Sequence, residues 1–142
     1  MWRLYCPDNK GVAIQTTYKK LADPINDSDD KMLLIGQIKY IDYEKEWFPE
    51  GNIFYPVMHK RKAFEHEKEI RIVKSDSRYW SSTLEETPRG IYCQWDVANI
   101  VENLYVNPYS EEWYYEIIKD ILDKYNCKLN VKWSTMKGLT YY

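Results

Sequence analysis

Short segments with a strand-type pattern recur along this chain, and they do not alternate strictly with helices. Strict alternation would predict a parallel α/β sheet, so its absence instead predicts an α+β fold. We expect a single domain over residues 1–142, with a mixed, mostly antiparallel sheet of about five or six strands and about three packed helices. The strand candidates are residues 11–17, 33–43, 65–73, 91–95, 103–106 and 128–134.

Helical spacing of apolar residues predicts three helices. Ser110 can cap the longest helix, whose first turn is acidic, the favourable sign at a helix N-terminus. A second helix is expected over residues 53–64 and carries the basic run at residues 60–62. A short helix is expected over residues 18–21, before a loop over residues 23–30. The apolar stripe of the longest helix consists of Tyr114, Ile117, Ile118, Ile121, Leu122 and Tyr125.

The charge of the chain is close to balanced. Its 142 residues include 20 Lys and Arg and 22 Asp and Glu, which gives a net charge of −2. Because no global excess attracts a nucleic-acid backbone or an anionic membrane, we expect neither an extended nucleic-acid surface nor a membrane partner. The glycine-rich motifs of Rossmann and P-loop nucleotide sites are also absent from the sequence. Any anion-binding site must therefore be local.

Cysteine usage and the lack of a long apolar run favour a cytoplasmic location. Cys6, Cys93 and Cys127 are odd in number and far apart, which argues against a disulfide framework and a zinc knuckle. The longest aliphatic run, residues 32–35, is far shorter than a membrane span or the core of a signal peptide. The spacing of the two histidines matches no known zinc pattern, so no metal site is expected.

The segment 65–73 alternates between apolar and charged residues. In a strand, Glu67, Glu69 and Arg71 would share one face, opposite Ile70 and Ile72. If the charged face lines a cleft, repulsion between the two carboxylates raises the pKa of one of them, and Arg71 lowers the pKa of the carboxylate beside it. The two glutamates then become candidates for a general acid and a general base. If it faces water, it is an ordinary salt-bridged sheet face. The sequence leaves both interpretations open.

Aromatic and basic residues supply further candidate ligand contacts. Fourteen Tyr and six Trp account for most of an aromatic content of 16%. Tyr5, Tyr18 and Tyr40 lie in or beside candidate loops and strand ends, where a base or nicotinamide ring could stack, although core packing explains most such rings. Lys60 and Arg61 could hold a phosphate, with a solvated helix face as the alternative.

Six short motifs follow one another in a fixed order: Trp2-x-x-Tyr5, Gly11-Val12-Ala13-Ile14, Gly36-x-x-x-Tyr40, Lys62-x-Phe64-x-x-Glu67-x-Glu69-x-Arg71, Leu104-x-Val106-x-Pro108 and Val131-x-x-Ser134. Together they resemble the bacterial and phage family called domain of unknown function 2971, over almost the whole chain. Members of that family usually carry a further segment before the first motif, so the resemblance implies a short form. The family name supplies no reaction.

A looser likeness is to the ADP-ribosyltransferase fold, in which a strand carrying E-x-E holds the catalytic glutamate. This likeness implies that Glu69 is catalytic and that Glu67 orients the acceptor. It places Thr16 and Thr17 at the end of a strand that lines an NAD pocket, with Arg3 as the candidate that grips NAD. NAD or a related nucleotide is the ligand that the likeness implies.

We therefore expect a nucleotide-binding or NAD-binding protein of phage or mobile-element type that acts in phage–host conflict, as an anti-defence or abortive-infection protein. The first alternative is an ADP-ribosyltransferase-like enzyme that uses Glu69. The second is an inhibitor module that binds a host protein without a small-molecule ligand. Arg71, Lys60, Arg61 and the tyrosines named above are the expected ligand contacts.

Overall fold

The computed structural model describes residues 1–27, 32–48, 50–75, 90, 92–93 and 95–138. Helices and strands are mixed along the chain, which confirms the α+β class. The helices are α1 (Trp2–Tyr5), α2 (Tyr18–Asn26), α3 (Tyr55–Met58), a 3₁₀ helix (Lys62–Glu67), α4 (Val97–Ile100) and α5 (Glu112–Lys124). The strands are β1 (Val12–Gln15), β2 (Leu33–Gln37), β3 (Lys39–Ile41), β4 (His59–Arg61), β5 (Ile70–Lys74), β6 (Asn103–Val106) and β7 (Val131–Trp133).

The chain divides into two compact units. The first unit consists of Met1–Leu21 and Cys93–Tyr142, and the second of Ala22–Tyr92. The described strands form three sheets, one of three strands and two of two strands, where the sequence predicted one mixed sheet. The single domain over residues 1–142 stays a prediction.

The first unit is built on a sheet in the order β1-β6-β7. The central strand β6 pairs antiparallel with β1 and parallel with β7. Its residues Leu104 and Val106 are buried, whereas all four residues of β1 are exposed. The strand expected at residues 11–17 is confirmed over Val12–Gln15, but it is exposed rather than buried, because β1 is an edge strand that pairs only with β6 among the described strands.

Helix α5 begins one residue later than its sequence signal suggested. Glu111 occupies the N-cap position, and the Ser110 hydroxyl instead donates to the backbone oxygen of Asn9 at 2.5 Å. No residue of α5 is buried, and Ile117 and Ile121 of the predicted stripe are more than 40% exposed. The helix is confirmed, but the stripe does not form a buried core.

Two buried polar residues connect the sequence motifs of the first unit. Asn107, which follows β6, donates its backbone N–H to the Gly11 oxygen at 3.0 Å and is fully buried. Ser134 is also buried, and its hydroxyl oxygen accepts a hydrogen bond from Trp2 Nε1 at 3.3 Å. The first, second, fifth and sixth motifs therefore meet around one sheet.

The second unit contains an antiparallel pair, β2 with β5, and a parallel pair, β3 with β4. The single strand expected over residues 33–43 is interrupted at Ile38, which is buried and donates its N–H to Glu69 O at 2.9 Å. Because the segments on either side of Ile38 pair with different strands, one continuous ladder cannot form. This prediction is corrected to two strands.

The helix expected over residues 53–64 is wrong beyond Met58. The helical spacing of this segment is overridden by pairing of β4 with β3, which makes His59–Arg61 a strand. The strand expected over residues 65–73 begins only at Ile70, since the 3₁₀ helix runs to Glu67 and Lys68 adopts a left-handed φ of 48°. In both segments, tertiary contacts therefore override the secondary structure that the local sequence pattern favours.

Two further expectations concern short elements. Helix α2 continues through Pro24 to Asn26 and buries Ala22 and Ile25, so the loop expected over residues 23–30 is wrong up to Asn26. Ile91 and Gln94 of the strand expected at residues 91–95 lie outside the described residues, and the described ones are not in a strand. None of the described helices is long and apolar enough to cross a membrane.

Gly11 stands where the structure leaves no room for a side chain. A Cβ at this residue would overlap Cys6 Sγ and would lie 3.1 Å from Cys6 Cβ. We expect Gly11→Ala to lower the free energy of unfolding by about 1–3 kcal/mol through overpacking, measured by urea denaturation. Gly138→Ala is the matched control, because no atom of the described residues lies within 4 Å of its added Cβ. Equal stability of the two variants would contradict this account of Gly11.

Candidate functional site

Four charged side chains of the second unit form an ion network, defined as Lys60, Glu67, Glu69 and Arg71. Lys60 Nζ forms ion pairs with Glu67 Oε2 and, at 3.2 Å, with Glu69 Oε2. Arg71 donates from Nε to Glu69 Oε1 at 2.5 Å and from Nη2 to Glu69 Oε2 at 3.2 Å. The side chains are 14–31% exposed. Glu69 therefore uses both carboxylate oxygens within the network.

Backbone contacts attach the network to several elements. Arg71 Nη1 donates to the backbone oxygen of Val57 in α3 at 2.5 Å. The Glu69 backbone N–H donates to the Tyr40 hydroxyl of β3 at 2.8 Å. Tyr40 and Lys60 are register partners in the β3–β4 pair, so their side chains lie on the same face of that sheet. The network thereby joins β3, β4, β5 and α3.

The pKa shifts follow from these contacts. Hydrogen bonds from Arg71, and less strongly from Lys60, hold the pKa of the Glu69 carboxyl below its ordinary value, although partial burial opposes this. The hydrogen bond to Glu67 is the main reason that the pKa of Lys60 is raised, and Glu69 raises the pKa of Arg71. Arg71 lowers the pKa of the neighbouring Glu69 carboxyl, as expected from the sequence. All three groups stay charged at neutral pH.

The sequence predicted that Glu67, Glu69 and Arg71 share one face of a strand, and the structure does not have this arrangement. Glu67 belongs to the 3₁₀ helix rather than to the strand, and Lys60 brings it together with Glu69. A carboxylate whose two oxygens already accept from cations has little capacity left for a substrate. The catalytic roles of Glu67 and Glu69 stay predictions.

A second feature of the second unit is a cleft at the carboxyl ends of β3 and β4. The strand-end cleft, defined by residues 41–44 and 61–63, has a volume of about 370 Å³. Since β3 and β4 are parallel, the residues that follow both strands emerge at the same edge of the sheet. In open α/β sheets, ligands bind in the crevice outside the carboxyl ends of the parallel strands.

Charged and aromatic side chains line this cleft. Arg61 and Lys62 line it together with Asp42, Glu44 and the half-exposed Tyr43. Neither Arg61 nor Lys62 forms an ion pair with any side chain that the structure describes. Among the described residues, the cleft therefore offers two cations without an ion-pair partner.

A chain of ring contacts supports Tyr43. Its ring centroid lies 6.0 Å from that of Phe48, which in turn meets the His59 ring edge-on at 5.0 Å. His59 Nδ1 lies 2.7 Å from the backbone oxygen of Tyr55, which fixes the imidazole ring. Within the described parts of the chain, no group of three His, Cys, Asp or Glu side chains could hold a metal ion.

The structure places the predicted site residues in both units. Tyr40, Lys60, Glu67, Glu69 and Arg71 come together in the second unit, and Arg61 lines the cleft of the same unit. The remaining candidates belong to the first unit: Arg3, Tyr5, Thr16, Thr17 and Tyr18. Their roles as ligand contacts stay predictions.

The candidates of the first unit have contacts of their own. The Thr16 hydroxyl donates to the Ile100 oxygen at 2.6 Å, and Thr17 Oγ1 accepts from the Lys20 N–H at 3.4 Å in the first turn of α2. The Arg3 guanidinium lies 4.9 Å from the centroid of the Tyr109 ring. Tyr5 and Tyr18 are 56% exposed. The threonines and Arg3 therefore have structural contacts already.

The ligand contacts expected from the sequence do not include Asp42, Tyr43 and Glu44. The signal that could have found them is a run of polar and aromatic residues directly after a strand. It becomes informative only when β3 is known to end at Ile41 beside the end of β4. That pairing is a tertiary contact.

Glu69→Gln should destabilise the protein at neutral pH. It removes the charge from a partly buried carboxylate with two cationic partners, so we expect a loss of about 1–2 kcal/mol in the free energy of unfolding at pH 7. Because the pKa of Glu69 is lowered in the fold, its contribution is present above the pKa of the unfolded chain and is lost as pH falls through the folded-state value. The difference between wild type and variant should therefore shrink in urea titrations between pH 7 and pH 3.

Glu116→Gln is the matched control for this experiment. Its 3.4 Å ion pair with Lys119 is about half exposed, so its loss should change stability little. If Glu69→Gln were as stable as wild type at pH 7, Glu69 would not hold the fold together, and its catalytic role would gain support.

Comparison with known proteins identifies the family. The family model described as "Protein of unknown function (DUF2971)" matches residues 1–72 of the 142-residue chain. No curated protein and no solved structure matches the chain, so the likeness to ADP-ribosyltransferases stays a prediction. The matched segment contains the ion network and the strand-end cleft. The chain belongs to the DUF2971 family.

Proposed function

We propose that the protein binds a small phosphate-bearing molecule of the nucleotide class in the strand-end cleft. One observation carries the proposal: Arg61 and Lys62 line this cleft, and neither has an ion-pair partner among the described side chains. Two adjacent cations with no ion-pair partner among the described side chains suit a phosphate, because charge-assisted hydrogen bonds to phosphate are strong.

The ion network supports this use of Arg61. Successive residues of a strand point to opposite faces, so Lys60 lies on the face of Tyr40, and Arg61 lies on the face of Ile41. Lys60 forms ion pairs with Glu67 and Glu69, and these contacts fix β4 from the face opposite that of Arg61. Arg61 is thereby presented to the cleft by a fixed backbone, which lowers the entropy cost of binding.

Tyr43 supplies a surface for a planar ring. Its side chain is 48% exposed, and Phe48 and His59 support it from within the unit. Stacking on an aromatic ring is tolerant of the base, and it contributes about 1–3 kcal/mol per base. A base on Tyr43 with its phosphate on Arg61 and Lys62 describes a mononucleotide or one half of NAD.

Binding rather than turnover is the activity that the geometry favours. A catalytic glutamate needs an oxygen directed at the substrate, whereas both oxygens of Glu69 accept hydrogen bonds from Arg71 and Lys60. The proposal includes a cytoplasmic protein of phage or mobile-element type that captures a nucleotide signal in phage–host conflict. This part rests on the resemblance to the family.

Isothermal titration calorimetry tests the proposal with adenosine 5′-monophosphate, NAD and inorganic pyrophosphate. Arg61→Gln and Lys62→Gln should each weaken binding at least about tenfold, because each removes a charge-assisted hydrogen bond. Lys39→Gln is the matched control, since it removes a charge from β3 at an exposed residue that does not line the cleft. Circular dichroism checks that the variants are folded.

The ligand recovered after incubation separates the alternatives. Intact NAD supports binding alone, whereas NAD altered by wild type but not by Glu69→Gln would indicate an enzyme. If none of the three probes binds, or if Lys39→Gln weakens binding as much as Arg61→Gln does, the proposal is wrong and a protein-binding module takes its place.

A further inference from the structure

We infer that the outer edge of β1 pairs with β1 of a second copy of this chain, so that the sheets of two first units join into one. The inference is independent of the proposed function, because β1 belongs to the first unit and the strand-end cleft to the second. Strand β1 lies at an edge of its sheet, and it is the one described strand whose residues are all exposed. An exposed strand edge is a template for pairing with another chain.

The hydrogen bonds of the sheet show which backbone groups of β1 point outward. Gly11 O accepts from the Asn107 N–H at 3.0 Å, so these two residues form a hydrogen-bonded pair that extends the β1–β6 ladder. On the other side of β6, the Leu104 N–H donates at 2.8 Å to the residue before β7. Hydrogen-bonded and non-hydrogen-bonded pairs alternate along an antiparallel ladder. The N–H and C=O groups of Val12 and Ile14 therefore point away from β6.

These outward backbone groups are complementary to themselves. Among the described strands, β1 has no partner on that side. A second β1 that runs antiparallel, with the two copies of Ala13 opposite each other, brings Val12 opposite Ile14 of the second copy, and the reverse. Each of these two pairs exchanges two backbone hydrogen bonds, so all the outward groups of Val12 and Ile14 are satisfied in this one register.

The side chains of β1 favour the same register. Val12 and Ile14 are the cross-strand partners of Val106 and Leu104, which are buried, so these four side chains lie on one face of the sheet. On that face Val12 is 39% exposed and Ile14 is 62% exposed. Self-pairing places Val12 beside Ile14 of the second copy, which removes apolar surface from water next to the buried part of the sheet.

Charge and side-chain size favour a second copy as the occupant of this edge. Strand β1 carries no charged side chain, and the nearest one, Lys10, lies opposite Thr16 of the second copy in this register, so no like charges meet. Ala13, at the two-fold axis, has a small side chain that lets the strands approach. The other edge strand of the sheet, β7, carries Lys132, and a lysine is a common protection of an exposed edge. A two-fold contact is closed, so pairing stops at the dimer.

The dimer should be a weak one, because its contact is small. Strand β1 has four residues, and stable complexes bury about 800 Å² on each partner, which is more than a strand of this length supplies. We therefore expect a dissociation constant of about 10–100 µM, and a monomer at low concentration.

Sedimentation velocity over about 5–500 µM protein tests the dimer. Wild type should shift from monomer to dimer as concentration rises, whereas Ile14→Lys should stay monomeric, because it places a charge in the paired edge. Ile117→Lys is the matched control, since Ile117 is exposed on α5 of the same unit, and it should dimerise like wild type. Circular dichroism checks that both variants are folded. A dimer of Ile14→Lys as strong as that of wild type overturns the inference.

Cysteine cross-linking tests the register. The two copies of Ala13 form a non-hydrogen-bonded pair with Cα atoms about 4.5 Å apart, a distance that a disulfide spans, so Ala13→Cys should give a cross-linked dimer under mild oxidation. Gln15→Cys is the control, because its two copies lie about 14 Å apart in this register. Wild type, with its three free cysteines, gives the background. If Ala13→Cys does not exceed Gln15→Cys, the register is wrong; if wild type stays monomeric throughout, the edge is left to a strand of another protein.

Discussion

Glu69 lies between two cations from different strands, Lys60 of β4 and Arg71 of β5. The strands of the second unit are three to five residues long, and each sheet has two strands, so their ladders supply few hydrogen bonds. Side-chain contacts must therefore hold the pairs together. Removal of one charge leaves its partners partly desolvated and unpaired. This lowers the free energy of unfolding by more than the ion pair itself contributes.

The strand-end cleft depends on this network through strand geometry. Lys60 is anchored on one face of β4, and the next residue, Arg61, lies on the other face at the end of the strand. An exposed arginine on a mobile loop would lose much of its binding energy to the entropy of ordering. Here strand pairing already fixes the backbone of Arg61 as part of the fold.

Sequence patterns predicted the elements whose local signals and tertiary pairing agree. Strand β6 and helix α5 are of this kind, since the first stops before Pro108 and the second begins with an acidic turn. The segment around residues 53–64 is the opposite case, because the pairing of β4 with β3 overrides its helical spacing. Glu69 and Arg71 were correctly expected to lie close together, while Glu67 joins them through Lys60 rather than along a strand.

The sequence by itself determined the α+β class, the balance of charge and the proximity of Glu69 to Arg71, since these follow from composition and from contacts between near neighbours. Only the tertiary structure decided that Lys60 joins the two carboxylates, and that the ends of β3 and β4 meet to form a cleft. The reason is physical: a parallel pair joins segments about 20 residues apart, and no local pattern encodes which strand another will pair with.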